Sequence, residues 1–593
     1  MNKEDFENAP NGVSKTKTSE IIFKVWAPHA KSVRLTGTFN NWDESSLKLE
    51  AIDNGHWAIL VSDIKDGDAY KYVIETQNGT LLKRNDPHAK KVTNSIGNSV
   101  VYLEDFDWDG TDQFTLESHN QLVIYELHIG TFNKKEGQEV GDFYSAIEKL
   151  DYLVDLGINT IEVMPICEFS GDFSWGYNPA HPYAVESIYG GPEGFKIFVK
   201  EAHKRGLGVI LDVVYNHFGP SDMDLWQFDG WSEHDKGGIY FYNDWKSKTP
   251  WGDTRPDYGR GEVRNYIFQN AMMWLEEYKC DGLRMDMIPY MRNVNADESA
   301  ANDIEEGKTL IQWINKEIHS KYPNKILIAE DLHMINDITA KVENGGLGYS
   351  SQWCAAFVHP VREVITTVDD DSRDLLKIEH ALTKKYNIDA FERIVYTESH
   401  DEVANGKARI VEEIAVDDVN NYFSKKRAQI AAALIFTAPG IPMIFQGQEL
   451  LEDGYFDDGD PIDWKNLDTY KNYVHFFKDL IALRRNLEGN TKGLQSQHIA
   501  IQHLDNNSKI LAFHRFDKGG SQDSVFVLIN FANRYLENYQ VEFPSEGNWT
   551  LRLNSDTTYY DPKNKNRDIN LSMEGSKGQL NIAEYQILIF TLD

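Results

Sequence analysis

Apolar and polar positions alternate along the chain from Ile21 to about Leu103. FKVWAP, SVRLTGTF, HWAILV and AYKYVIE each carry the two-residue rhythm, and Asn40-Asn41 and Gly- and Asp-containing breaks separate them. Successive side chains of a strand leave on opposite faces, so this rhythm predicts half-buried strands and, together, a small β-sandwich over 21–105. The first twenty residues are polar and predict a loose tail over 1–20.

From about Gln121 the rhythm changes. Short apolar runs (VIYELHIG, INTIEVMPI, LGVILDVVY, DGLRMDMI, ILIAEDL, SQWCAAFV, RIVYTES and IPMIFQG) alternate with longer stretches such as SAIEKLDYLVDLG and GFKIFVKEAHKRG. In the longer stretches apolar residues recur at three- and four-residue steps, the signature of amphipathic helices. Eight strands with intervening helices predict an α/β fold, a closed (β/α)8 TIM barrel over 106–490, with catalytic groups at the C-terminal strand ends. The stretch 216–260 is longer than an ordinary connection and rich in Gly, Asp and Trp, which predicts an excursion over that face. After about Gly493 alternation returns in KILAFHRF, SVFVLINF, NWTLRLN and QILIFTL, predicting a second β-sandwich over 491–593.

Composition narrows the classes of function. A 593-residue chain with 41% apolar and 12% aromatic residues is a folded protein of roughly three or four domains. Lys and Arg total 60 against 93 Asp and Glu, a net charge of −33 at pH 7. Such a surface repels phosphate backbones and anionic lipid, which argues against nucleic-acid and membrane partners, while a neutral polymer is indifferent to it. Cys167, Cys280 and Cys354 are odd in number, far apart and without metal-ligand spacing, so no disulfide framework is expected. MNKEDFENAPNG lacks the apolar core of a signal peptide, and no run of about 18 apolar residues follows, so a cytoplasmic protein is expected.

Polar residues that interrupt the strand ends carry the chemistry. LDVVYNH ends with Asp212, Asn216 and His217; DGLRMDM carries Arg284 and Asp286; LIAEDL carries Glu330; TESHDE carries Glu398, His400 and Asp401. One buried carboxylate is ordinarily a structural ion pair. Four strands delivering carboxylates to one rim are the arrangement that acid/base and nucleophilic chemistry requires.

LDVVYNH, GLRMDM, IAEDL and ESHDE resemble, in order and spacing, the four sequence regions of the α-amylase family of glycoside hydrolases. The resemblance implies a retaining mechanism with Asp286 as nucleophile, Glu330 as general acid/base and Asp401 as transition-state stabiliser. It also implies that Arg284 holds the nucleophile ionised, that His217 and His400 bind the central sugar, and that Asp212 supports that site. Tyr177 in SWGYNP resembles the family's stacking tyrosine. Such chemistry needs no metal and no cofactor.

Within the family, VWAPHAKSVRLTGTFNNWD resembles the glycogen-binding type of sandwich, and IYELHIGTF and ESHDEVANGK resemble the branching-enzyme group. LDVVYNHFGP is nearer to amylases, isoamylases and maltooligosyltrehalose trehalohydrolases than to most bacterial branching enzymes, and SWGYNPAHPYAVESIYGGPEGF also resembles the trehalohydrolases. The implied function is therefore 1,4-α-glucan branching, with α-glucan hydrolysis as the alternative, on glycogen, amylose or maltooligosaccharide. A non-catalytic glucan-binding protein would ordinarily have lost Asp286, Glu330 or Asp401. Trp26 and Trp57 lie in predicted strands and are expected in the sandwich core; Trp42, in a turn, is the candidate for a sugar-facing surface.

Overall fold

A computed structural model describes residues 3–17, 19–103 and 105–593. The N-terminal part is a pair of packed antiparallel sheets. One has Gly12–Lys15, Ile21–Trp26, His56–Val61 and Glu50–Ala51 side by side, and the other has Leu47–Lys48, Ser32–Gly37, Ala69–Glu75 and Leu81–Arg84, with Ser99–Val100 beside the third. Phe23, Val25, Val33, Leu35, Tyr70, Tyr72 and Ile74 fill the space between them. The 1–20 stretch departs from the expected loose tail. Gly12–Lys15 pairs antiparallel with Ile21–Lys24, and Phe6 of the helix Lys3–Asn8 is buried. Lys24 fastens this segment by donating from Nζ to the carbonyls of Glu7 and Ala9. Met1, Asn2 and Thr18 of that expected tail lie outside the described residues. Trp26 is buried and Trp57 half-buried with its Nε1 donating to Ala27 O, while Trp42 is exposed in the turn.

The middle of the chain forms the eight-stranded barrel. Its strands are β1 (Ile124–Leu127), β2 (Thr160–Val163), β3 (Gly208–Val213), β4 (Gly282–Met285), β5 (Ile326–Ala329), β6 (Ser351–Trp353), β7 (Arg393–Val395) and β8 (Ile441–Phe445). All are parallel in chain order, and β8 pairs with β1 to close the ring. All eight runs singled out by periodicity become these strands, SQWCAAFV included. Helices pack outside; in Gly191–Lys204 the buried Phe195, Phe198, Val199 and Ala202 fall on one stripe, with Pro192 in the first turn and His203 and Lys204 in the last.

Alternation along the strands sorts the barrel's inside from its outside. Ile124, Ile210, Ile326, Ile328, Ile394, Ile441 and Met443 form a hydrocarbon plug within it. Two residues further along the same strands, and so on the same face, stand Glu126 and Asp212. The barrel interior thus changes from apolar to charged along its axis.

The excursion 216–260 is irregular apart from two short turns, Gly238–Tyr240 and Trp245–Ser247. Phe218, Phe228, Ile239 and Phe241 bury its inner side. Arg84 of the N-terminal sandwich donates to the carbonyls of Phe228 and Gln227, Asp224 accepts from Asn85 N, and Trp26 meets Tyr240 edge-on at 5.6 Å.

The C-terminal part pairs a five-stranded sheet with a three-stranded one across Phe526, Phe543, Trp549, Leu580 and Phe590. Four of its strands are the runs with clear alternation. LENYQVE and SME are mostly exposed, which is why alternation alone does not reveal them. Three buried guanidinium groups lie where this sheet meets the base of the barrel. Arg515 donates to the carbonyls of Thr437, Leu494 and Ser496, Arg484 to those of Asn120 and Gly440, and Arg393 to those of Ala381, Leu382 and Pro439. Thr437, Ala381 and Leu382 lie at helix C-termini, where unpaired carbonyls favour a cation. The three cysteines are free and buried, and among the described residues no helix is long and apolar enough to cross a membrane. Arg515→Ala removes the donor to four carbonyls, those of Thr437, Leu494, Ser496 and His498, and should lower stability by about 3 kcal/mol. Calorimetry should show a lowered unfolding midpoint, and an unchanged midpoint would contradict this role.

Candidate active site

The charged end of the barrel is organised around Arg284, which is fully buried on β4. Its NH1 lies 2.6 Å from Asp212 Oδ2 and 3.0 Å from Asp286 Oδ1, and its NH2 lies 2.8 Å from Glu330 Oε2. Asp212 comes from β3, Asp286 directly follows β4 and Glu330 directly follows β5. Three neighbouring strands therefore aim carboxyl groups at one guanidinium. The cation also lies 4.3 Å from the Trp353 ring centroid on β6, a stacking partner that sequence reasoning did not single out. Met287 N donates to Glu330 Oε2 at 2.8 Å, with Met287 itself at a left-handed φ of 38°. Backbone strain next to Asp286 marks a place where surrounding structure dictates geometry.

A second line of contacts orients Asp286 from the other side. Asn216 Nδ2 donates to Asp286 Oδ2 at 2.8 Å, and Asn216 Oδ1 lies 2.5 Å from His217 Nδ1. With Asn216 donating from its amide nitrogen, His217 donates from Nδ1. Trp251 of the excursion stacks on His217 at 4.5 Å and 11°. Neither Asn216's role nor Trp251 followed from the sequence; Trp251 lies in an irregular stretch where periodicity says nothing.

His400 bridges to the remaining carboxylates. Its Nδ1 is 2.5 Å from Glu126 Oε1, its Nε2 is 3.3 Å from Asp401 Oδ2, and its ring stacks on Tyr177 at 5.0 Å. Tyr177 in turn donates to Asp212 Oδ2 at 2.5 Å. Asp212, Tyr177, His217, Arg284, Asp286, Glu330, His400 and Asp401 thus stand together in one network. Glu398 does not join it: its carboxylate accepts from Ile410 N and pairs with Arg409, at the start of the helix Ile410–Ile414.

Electrostatics separates the carboxyl groups. Burial pushes Glu330 up to about 8, helped by the charges of Asp286 and Asp401 and opposed by Arg284. Burial also raises Asp286, and the Arg284 cation offsets that rise without cancelling it, a weaker effect than the sequence led us to expect. Asp212 is raised to about 6 by burial against the pull of Arg284 and Tyr177. Asp401 goes the other way, to about 2, because the adjacent His400 outweighs burial. Burial lowers His217 to about 3, whereas Asp401 and Glu126 raise His400 despite its burial.

Two further carboxyls, Glu126 on β1 and Glu162 on β2, face each other in register beneath this network. Glu162 is 1% exposed, and neither of its oxygens has a hydrogen-bond partner among the described residues. Burial and the Glu126 charge raise its pKa strongly, so it is held as the neutral acid. A signal was available: both strands carry a Glu on the inward phase of an otherwise apolar run.

Beside the network a cavity of about 540 Å3 opens between Phe173, Trp175, Tyr177, Asn178 and Trp251, an aromatic trough suited to sugar rings. Comparison with known proteins agrees with this geometry. Residues 127–253 and 222–486 match the alpha amylase catalytic domain. The chain belongs to the α-amylase family. Its N-terminal residues 10–89 match carbohydrate-binding module 48, the isoamylase N-terminal domain, and 501–593 match the alpha amylase C-terminal all-beta domain. This α-amylase-family chain is 32% identical to the 1,4-alpha-glucan branching enzyme GlgB of Pseudoalteromonas atlantica, over 92% of this chain and 77% of that protein. It is 30% identical to the enzyme of the same name from Bacillus cytotoxicus, over 91% of this chain and 84% of that one. Among solved structures, a putative alpha amylase from Salmonella typhimurium shares the fold with a TM-score of 0.75 at 21% identity, covering 98% of this chain and 99% of that one. A pullulanase from Paenibacillus barengoltzii, solved with maltohexaose and alpha-cyclodextrin, does so with 0.77 at 19%, covering 99% and 95%.

Glu162 yields a prediction about stability. Its pKa is raised on folding, so it takes up a proton on folding as pH climbs above its unfolded value of about 4.3, and wild-type stability falls as pH rises from there. Glu162→Gln keeps the shape of the neutral acid and removes that loss. The variant's unfolding midpoint should gain on the wild type as pH rises above about 4.3, whereas a deficit that widens with pH would mean that Glu162 is ionised.

Proposed function

We propose that this protein is a 1,4-α-glucan branching enzyme, which cleaves an α-1,4 bond and rejoins the freed segment through an α-1,6 bond. The observation that carries the choice of reaction is its similarity, over nine-tenths of its length, to enzymes of that name.

Asp286 is the nucleophile. Arg284 and Asn216 each hold one of its oxygens, leaving the carboxylate fixed in orientation for attack on the anomeric carbon. Glu330 is the acid. With its pKa near 8 it carries a proton at neutral pH and gives it to the departing 4-oxygen as the C1–O4 bond breaks and the Asp286–C1 ester forms. Glu330, now a carboxylate, takes the proton of an acceptor's 6-hydroxyl. That oxygen attacks C1 and Asp286 leaves, so one bond has broken, one has formed and the proton count is unchanged. The two carboxyls flank one guanidinium, which supports retention, where about 5–5.5 Å separates the pair. Asp401 has a 41%-exposed side chain, the most open carboxylate of the network, and it binds sugar hydroxyls as positive charge develops on the ring. Tyr177 supplies the flat face against the same sugar, His217 and His400 line it, and Asp212 fixes Tyr177 and Arg284.

Asp286→Asn and Glu330→Gln should each lower turnover on amylose by roughly a thousandfold or more, and Glu330→Gln, which mimics the neutral acid, should leave the unfolding midpoint close to wild type. Because the acid must be protonated, wild-type activity should fall as pH rises through about 8. Activity flat to pH 10 would remove Glu330 from this role.

The acceptor is decided by incubating the protein with linear amylose. Branching predicts that iodine staining falls, reducing ends barely increase, and a debranching enzyme then releases short chains. Reducing ends rising in step with the loss of staining would make water the acceptor and the protein a glucan hydrolase.

A further inference from the structure

The run IYELH closes β1 with two polar side chains, Glu126 and His128, that the reaction steps do not use. Glu126 is fully buried, and both of its oxygens turn to one residue. Oε1 meets His400 Nδ1, and Oε2 accepts from the His400 backbone N–H at 3.2 Å. A grip on the ring and on the backbone of the same residue fixes the imidazole's place and plane. Aromatic rings close round it: Tyr177 is stacked on it, and Trp175 and Trp353 meet it at 5.9 and 5.8 Å between centroids. The other ring nitrogen, Nε2, lies 3.3 Å from Asp401 Oδ2.

This order of contacts decides the protonation of His400. A neutral imidazole donates from one nitrogen only, and here a carboxyl group stands at each. Asp401 and Glu126 raise the His400 pKa against the cost of burial, and His400 in turn brings Asp401 down to about 2. The neighbouring groups leave this bridge intact. Glu162, across from Glu126 on β2, is held neutral and brings no charge of its own to the imidazole. Asp212 of β3 is engaged by Arg284 of β4 and by the Tyr177 hydroxyl. His128, beside the same end of β1, is the contrasting case. Its ring meets the Thr131 and Tyr189 hydroxyls and the Ser174 carbonyl, and burial lowers its pKa to about 4. Two buried histidines beside one strand end thus differ in charge because only His400 is set between carboxylates.

We infer that Glu126 is a positioning residue for Asp401, acting through His400. It holds the imidazole doubly protonated and in one plane, and the imidazolium holds Asp401 towards the sugar. The inference deepens the reading given above and rests on it for the role of Asp401. It also accounts for a carboxylate buried inside the barrel, which is costly without a cation beside it, and His400 is that cation.

Glu126→Gln keeps the size of the side chain and removes its charge. Its kcat/KM on amylose should fall about tenfold or more near neutral pH. The deficit should shrink as the solution is made more acidic, because protons from solvent restore the imidazolium. Asp212, Asp286 and Glu330 titrate in both proteins, so the ratio of variant to wild type reads the bridge. The trend should persist in a Glu162→Gln background; a ratio that goes flat there assigns it to Glu162 and overturns the inference. In a His400→Gln background, Glu126→Gln should cost less than about twofold, since the bridge is already broken, whereas losses that multiply would mean that Glu126 acts elsewhere. Nitrogen NMR of histidine-labelled protein gives a readout independent of turnover. The His400 signals, identified by their loss in His400→Gln, should show both ring nitrogens protonated in the neutral wild-type protein. In Glu126→Gln one of those protons should be lost at a lower pH than in the wild type. A wild-type His400 with a single protonated nitrogen overturns the inference even if Glu126→Gln fails to fold. A wild type that leaves amylose unaltered sinks the α-glucan reading instead, while the His400 signals still decide the bridge.

Discussion

A guanidinium group with no exposure to solvent sits at the centre of this protein, and the functional end of the barrel is arranged around it. A buried cation is tolerated only when acidic groups offset its dehydration, and Arg284 has three carboxyl groups, Asp212, Asp286 and Glu330, each within 3.0 Å, of which the protonated Glu330 supplies an acceptor oxygen rather than a charge. Those carboxylates come from three consecutive strands, so their positions depend on the register that aligns Asp212 with Arg284 across β3 and β4. A shift of one residue would turn Arg284 towards the helices and leave the carboxyls unpaired. The isoleucine plug beneath keeps water from relieving that constraint.

One cation and one histidine do not balance the acids gathered here. Glu126, Glu162, Asp212, Asp286, Glu330 and Asp401 share the space with Arg284 and His400, and like charges in an enclosed site cannot all ionise. The protein resolves the excess by environment. Glu162 and Glu330, the first without a hydrogen-bond partner and the second between two carboxylates, hold protons, whereas Asp401 beside His400 gives its proton up. The same crowding that makes the site costly to fold therefore prepares one carboxyl as an acid at neutral pH.

Much of this was legible beforehand for a physical reason. Strand periodicity is a local property, so all eight barrel strands stood out, and a charged residue ending an apolar run marks a strand mouth. Asp212, His217, Arg284, Asp286, Glu330, His400 and Asp401 could be named from such positions, Tyr177 only from its resemblance to the family's stacking tyrosine, and the fold brings all eight together. Position at a strand end was a coarser guide for Glu398, which lies in the same TESHDE run as Asp401 but turns to Arg409. Glu126 and Glu162 went unread because they interrupt strands rather than end them. The edge strand Gly12–Lys15 was invisible because four polar-looking residues become a strand only when Ile21–Trp26 is there to pair with them.

Trp251 shows what local pattern cannot supply. It stacks on His217, which engages Asn216, which donates to Asp286, so the orientation of one Asp286 oxygen is set by a residue of the excursion. That excursion has almost no regular structure of its own. Its rigidity comes from burial of Phe218, Phe228 and Phe241, from Arg255 donating to the carbonyls of Lys246, Lys248 and Val294, and from the Arg84 and Asn85 contacts with the N-terminal sandwich. A loop tied down at that many points behaves as part of the scaffold, and preorganised contacts of this kind hold the Asp286 carboxylate in one orientation. The N-terminal sandwich therefore contributes to the geometry at Asp286 through packing, in addition to anything it binds itself.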